Sequence, residues 1–134
     1  MKEYNNIQIL DLKVHGDIRG YLVATQLGEN IPFDLKRAYW IFGTKSGCSR
    51  GGHAHRKLNQ LFVAVAGSAK IVCQLDNKKE TVLLDSPKKG LLLKPMVWHT
   101  IEDFSSDCVL LVLVDNIYVA SDYIRDYQQF LQEK

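Results

Sequence analysis

Residues 47–67 read GCSRGGHAHRKLNQLFVAVAG. His53 and His55 stand one residue apart in this stretch, after Arg50 and two glycines. Successive side chains on a strand point to opposite faces, so the two imidazoles share a face. The chain has four histidines in all, and a pair on one face concentrates the side chain best suited to metal ligation or to proton transfer near neutral pH. A single histidine reads more simply as a satisfied core residue, but a pair does not. Arg50, Arg56 and Lys57 crowd the same stretch. Added positive charge disfavours a cation there and favours an anionic ligand.

Working outward, short apolar runs follow one another between turn residues. Residues 7–13, 20–26, 37–43, 60–67, 68–75, 79–85, 90–95, 98–104 and 107–114 are rich in Val, Ile, Leu and aromatics and read as strands. Gly67-Ser68 and Asp76-Asn77 fall where tight hairpin turns are expected. Strands recurring about every ten residues predict an antiparallel sandwich or barrel. The end differs: in SDYIRDYQQFLQEK (121–134), Tyr123, Ile124, Tyr127, Phe130 and Leu131 recur at helical spacing, with Ser121 or Asp122 as cap. The prediction is one amphipathic helix laid on the barrel or on a partner subunit.

With 134 residues the chain fits one domain, 1–134, around one core. A net charge of +2 is too small to argue for nucleic acid. No apolar run is long enough to span a membrane as a helix. MKEYNNIQIL lacks the sections of a signal peptide, so a cytoplasmic location is expected. Cys48, Cys73 and Cys108 are odd in number and form no CxxC, which reads as unpaired thiols in a reducing compartment. No GxGxxG or P-loop is present, and no redox cofactor is implied.

The spacing Gly47, His53, His55, Gln60, Gly67 resembles the first motif of the cupins, and Gly90, Pro95 and His99 loosely match the second. The resemblance implies an all-β cupin jelly-roll barrel, an antiparallel sandwich, with a short C-terminal helix. Metal-binding cupins usually carry Glu where Gln60 stands. A neutral amide removes a negative charge from the ligand set, so the expectation is no metal and histidine acid/base chemistry instead.

Longer blocks narrow the likeness. RGGHAHRKLNQ (50–60), VWHTIEDFSSDCV (97–109) and DYIRDY (122–127) are similar to the dTDP-sugar 3,4-ketoisomerases, and the likeness runs over about residues 7–130. The family converts dTDP-4-keto-6-deoxyglucose to a 3-keto isomer on the way to 3-amino sugars of glycans such as lipopolysaccharide or S-layers. The resemblance implies His53 and His55 as the catalytic pair and Tyr39 in the sugar pocket. It implies Arg50 at the pyrophosphate and sugar, with Arg19 and His99 as further pocket positions. Lys57 and Gln60 join the substrate-binding set. Arg19 with His99 resembles the galacto-forming branch. Gly52 departs from relatives that carry a large apolar residue there and would open space beside His53. A homodimer is expected, with the N-terminal strand as a candidate for exchange.

The expected chemistry needs no cofactor. The C4 ketone acidifies C3–H, one histidine removes that proton, an enediol or enediolate forms, and a proton returns to C4. Two rivals stand beside this reading. One is a metal-dependent cupin enzyme, and the other a sugar-nucleotide binding module that needs the arginines but not the histidine pair.

Overall fold

The computed structural model describes residues 5–134; residues 1–4 of the predicted domain lie outside the described residues. Strands β1 (Ile7–Asp11), β9 (Lys89–Leu93), β6 (Gln60–Ala66), β11 (Val109–Val114) and β4 (Arg37–Phe42) form one five-stranded sheet, in the order β1-β9-β6-β11-β4. Strands β12 (Tyr123–Ile124), β5 (Arg50–His55), β10 (Trp98–Glu102), β7 (Ala69–Leu75) and β8 (Lys78–Leu84) form the second, in the order β12-β5-β10-β7-β8. Within both sheets every strand pair is antiparallel. The sandwich expected from the strand spacing is therefore what the chain builds. A separate hairpin, β2 (Val14–Asp17) with β3 (Gly20–Val23), completes the strands.

The core lies between the sheets. Phe62, Leu91, Leu93, Leu110 and Val112 from the first sheet meet Ile71, Cys73, Leu84 and Ile101 from the second. The first sheet is also covered outside: Leu61, Val63, Leu92 and Leu113 pack with Leu10, Leu12, Ile31 and Phe33. Its central strands are thus buried on both faces, which is why 61–64 and 91–93 are continuously apolar rather than alternating.

Each of the nine predicted strand segments overlaps an observed strand, and β2, β5 and β12 are additions to them. Of the two predicted hairpin turns, Asp76-Asn77 joins the paired β7 and β8, with Asp76 at φ 55. Gly67-Ser68 does not make a hairpin. It is a corner that carries the chain from the first sheet to the second. Gly67 has φ 63, and a Cβ there would collide with Ser105 and Asp107 and lie 2.8 Å from the Cys108 Cα. Cys73 and Cys108 are buried, whereas Cys48 is exposed; all three are free thiols.

The predicted C-terminal helix is shorter than its apolar stripe suggested. Ala120–Asp122 form a 3-10 turn, Tyr123–Ile124 are strand β12, and helix α1 spans Tyr127–Glu133. Its cap is Asp126, whose side chain accepts from the Gln128 N–H, not Ser121 or Asp122. The physical reason is the open edge of β5. Tyr123 and Ile124 pair with His55 and Ala54, which satisfies backbone groups that a helix there would leave bare. Phe130 then packs with Ala54 and Ile124.

Candidate active site

Strand β5 carries the histidine pair. His53 lies directly across from His99 on β10, but the next pairing joins Thr100 to Gly51, so Gly52 is an extra residue on β5. This is a β-bulge, and it rests on glycine at two positions. Gly51 has φ +84, and a Cβ there would stand 3.0 Å from the His99 carbonyl oxygen. Gly52 has φ +76, and a Cβ there would meet open space. Gly52 is therefore required by backbone conformation rather than by a need for room beside His53.

The bulge gathers three imidazoles. The His53 ring centroid lies 5.0 Å from that of His55 and 4.9 Å from that of His99, both edge-on. Tyr123 closes the group, 5.0 Å from His53 and 4.3 Å from His55. His55 and His99 are 3% and 2% exposed. His99 Nδ1 lies 3.2 Å from the Val97 carbonyl oxygen and donates to it, and His55 Nδ1 lies 2.9 Å from an Asp122 carboxylate oxygen. His55 Nε2 is buried without a partner among the described residues.

Burial sets the electrostatics. His53 is lowered to about 4, first by burial, then by the charges of His55 and Arg125. His99 is lowered to about 3, again chiefly by burial. His55 is lowered by burial against the opposing pull of Asp122. All three are neutral bases near pH 7. Tyr39 is pushed up to about 12, mostly by burial, so its hydroxyl keeps its proton and serves as a donor.

A cavity of about 460 Å³ opens over this cluster. His53 and His99 form part of its wall, with Tyr39, Arg50, Tyr123 and Arg125. His55 does not line it; the Tyr123 ring packs against His55. A second cavity of about 380 Å³ adjoins it, sharing Arg37 and Tyr123. Arg37 stacks over Tyr39 at 5.2 Å, and Arg125 over Tyr123 at 4.3 Å. The result is a bowl with neutral bases on one side and guanidinium groups around it. Such a bowl suits an anion with a proton-bearing carbon at its far end. Among the described residues, no three His, Cys, Asp or Glu side chains converge as metal ligands.

The structure thus brings together His53, His55, His99, Tyr39 and Arg50 from the expected set. Gln60 is buried, its side-chain nitrogen has no hydrogen-bond partner among the described residues, and it does not line the cavity. Lys57 lines the adjoining cavity instead. Arg19 stands apart, at the tip of the β2–β3 hairpin, with its side chain 85% exposed and 2.5 Å from Asp17. Tyr123, Arg125, Arg37 and Asp122 were not expected at the site. The signal for Tyr123 and Arg125 was present as an i, i+2 alternation in DYIRD, but helical spacing further along the same segment masked it.

A family model described as "FdtA: WxcM-like, C-terminal" matches residues 5–134. A TDP-4-oxo-6-deoxy-alpha-D-glucose-3,4-oxoisomerase of Aneurinibacillus thermoaerophilus is 46% identical over 123 residues, covering 92% of this chain and 88% of that one. A 3,4-ketoisomerase structure from Helicobacter canadensis superposes with a TM-score of 0.93 at 35% identity, covering 97% of this chain and 98% of the other. A His-to-Asn variant of the 3,4-ketoisomerase from Thermoanaerobacterium thermosaccharolyticum, solved with TDP-4-keto-6-deoxyglucose, also gives 0.93. Its identity is 34%, with 98% and 95% of the two chains covered.

Proposed function

We infer the function of this chain from the premise that it belongs to the FdtA, WxcM-like family: it is an isomerase, a TDP-sugar 3,4-ketoisomerase. The finer reading is that it converts TDP-4-keto-6-deoxyglucose to the 3-keto isomer. The observation that carries this is the neutral three-histidine cluster set into a cavity ringed by arginines.

In this reading His53 is the base, because it alone of the pair lines the cavity. It takes the proton from C3. The C3–H electron pair forms a C3=C4 double bond, and the C4 carbonyl becomes an oxyanion. The Tyr39 hydroxyl, still protonated, meets that charge. Protonation of this oxygen gives the enediol. Loss of the O3 proton and return of a proton to C4 then leave a ketone at C3. C3 is oxidised and C4 reduced, so the sum needs no external electron carrier. Positioned acid/base groups supply about 10²–10⁴-fold each.

Arg50 and Arg125 are the cations placed on the diphosphate; Arg suits bidentate contact with phosphate oxygens. Lys57 lies in the adjoining cavity and is assigned a remote contact with the nucleotide. The galacto product is the reading for C4, supported by the resemblance of Arg19 and His99 to the galacto-forming pairing. A homodimer belongs to the same reading. The β2–β3 hairpin exposes Ile18, Tyr21 and Leu22 beside Arg19, a surface that a second copy would cover. Cytoplasmic synthesis of a 3-amino sugar nucleotide is the setting that fits. Among the described residues no helix is long and apolar enough to cross a membrane.

The test is proton NMR of TDP-4-keto-6-deoxyglucose with the protein in D₂O, with and without chelator. Deuterium at C3 or C4 together with a new 3-keto species, unchanged by chelator, is expected. A reaction abolished by chelator would transfer the chemistry to a metal-dependent enzyme. Tight binding without exchange would leave a binding module.

A further inference from the structure

We propose that Asp122 is a positioning residue for His55: it fixes the imidazole proton on Nδ1 and keeps Nε2 bare as a proton acceptor within the isomerisation. The proposal rests on the ketoisomerase reading, and it adds a residue that the sequence assigned only to a helix cap.

The geometry is specific. His55 Nδ1 lies 2.9 Å from Asp122 Oδ2, and a carboxylate can only accept, so Nδ1 carries the proton. The other oxygen, Oδ1, accepts the Lys57 backbone N–H at 2.7 Å. Both carboxylate oxygens are committed, and rotation would break both bonds. The His55 side chain is 2% exposed and that of Asp122 14%. His55 Nε2 is left buried with no partner among the described residues. An orphaned buried nitrogen costs stability, and a catalytic role is one reason for a fold to keep one.

The chain also invests in holding Asp122 still. The Arg56 N–H donates to the Asp122 carbonyl at 2.9 Å. The Arg56 guanidinium donates to the Ser121 and Tyr123 carbonyls and to the Glu133 carboxylate. Turn, strand β12 and helix α1 are thereby tied to the end of β5. A proton that reaches Nε2 makes an imidazolium, which here faces a carboxylate rather than standing unmatched in a buried cluster. That proton is one that His53 has taken from the substrate and passed on to the neighbouring ring, 5.0 Å away, and it returns by the same nitrogen, so Asp122 stays ionised and the proton count closes.

The test is Asp122→Asn. The fixed Lys57 N–H holds the amide oxygen, so the NH₂ turns to His55. Nδ1 must then accept, and the ring proton moves to Nε2. We expect kcat to fall about 10²–10⁴-fold with KM changed less than about threefold. Long-range ¹H–¹⁵N spectra should show His55 as the Nδ1–H tautomer in the native protein and Nε2–H in the variant. A residue that served only to hold the fold would lower the melting temperature and leave the tautomer alone. An Nε2–H tautomer in the native protein, which needs no variant to observe, overturns the proposal. So does variant turnover within twofold of native. A native protein that fails to isomerise the sugar, yet shows the Nδ1–H tautomer and its reversal in the variant, sinks the ketoisomerase reading and leaves the positioning itself standing.

Discussion

His53 and His99 face each other directly across β5 and β10, and the register breaks immediately beside them, where Thr100 pairs with Gly51. The extra residue, Gly52, is therefore a device that aims His53 at a buried neighbour on the adjacent strand. The RGGHAH sequence is a bulge signature as much as a chemical one.

Gly51→Ala and Gly52→Ala should both destabilise, because both positions lie in the left-handed region. A β-carbon there costs about 1–2 kcal/mol. Gly51→Ala should cost more, since its Cβ also crowds the His99 carbonyl. Urea unfolding midpoints check the order. Equal and negligible losses would mean that the bulge does not need glycine.

His53→Asn and His55→Asn should each lower kcat by at least about 10²-fold while leaving substrate binding within a few-fold. His53→Asn should also abolish deuterium entry at C3, since His53 faces the cavity and His55 does not. Exchange that survives in His53→Asn and vanishes in His55→Asn would reverse the assignment of base.

The pH dependence follows from burial. A base works when neutral, and His53 is lowered to about 4, so the acid limb of kcat/KM should lie well below the ordinary histidine value near 6.5. Arg125→Gln removes one of the charges that lower it and should move that limb upward. Stability obeys the same sign. His53, His55 and His99 bind protons more readily unfolded than folded. Their contribution is complete above about pH 6.5 and is lost as pH falls toward their folded values. Each histidine that stays neutral removes about 1.4 kcal/mol per pH unit in that window. Thermal melts between pH 7 and pH 4 measure it; a flat profile would contradict the burial of the cluster.

Arg19 tests the assembly. Its 85% exposure in the single chain leaves it no role in its own cavity, so any effect on turnover must come through a second copy. Arg19→Ala should lower kcat/KM, and the protein should sediment as a dimer. An inactive His53→Asn chain mixed and refolded with Arg19→Ala should recover part of the activity if the hairpin reaches a partner's site. A monomer with native turnover in Arg19→Ala would remove Arg19 from the site altogether.

Much of this protein was decided by local pattern. The apolar runs at 60–66, 69–75 and 109–114 specify strands through residue type alone, and the i, i+2 spacing of His53 and His55 places them on one face wherever the strand goes. Tyr39, Arg50 and His99 could be named because they stand in stretches of sequence that resemble the ketoisomerases. Position in space is a different matter. Only the sandwich topology shows that β10 lies beside β5, so only the structure shows His99 as the partner of His53. The segment 121–124 was misread because its apolar spacing fits a helix, while its conformation answers a demand set far back in the chain, the open edge of β5. Asp122 and Tyr123 reach the histidines through that pairing. Local sequence encodes propensity and facing; which strand edges need covering, and which side chains meet when they are covered, depends on long-range hydrogen bonds that only the folded chain contains.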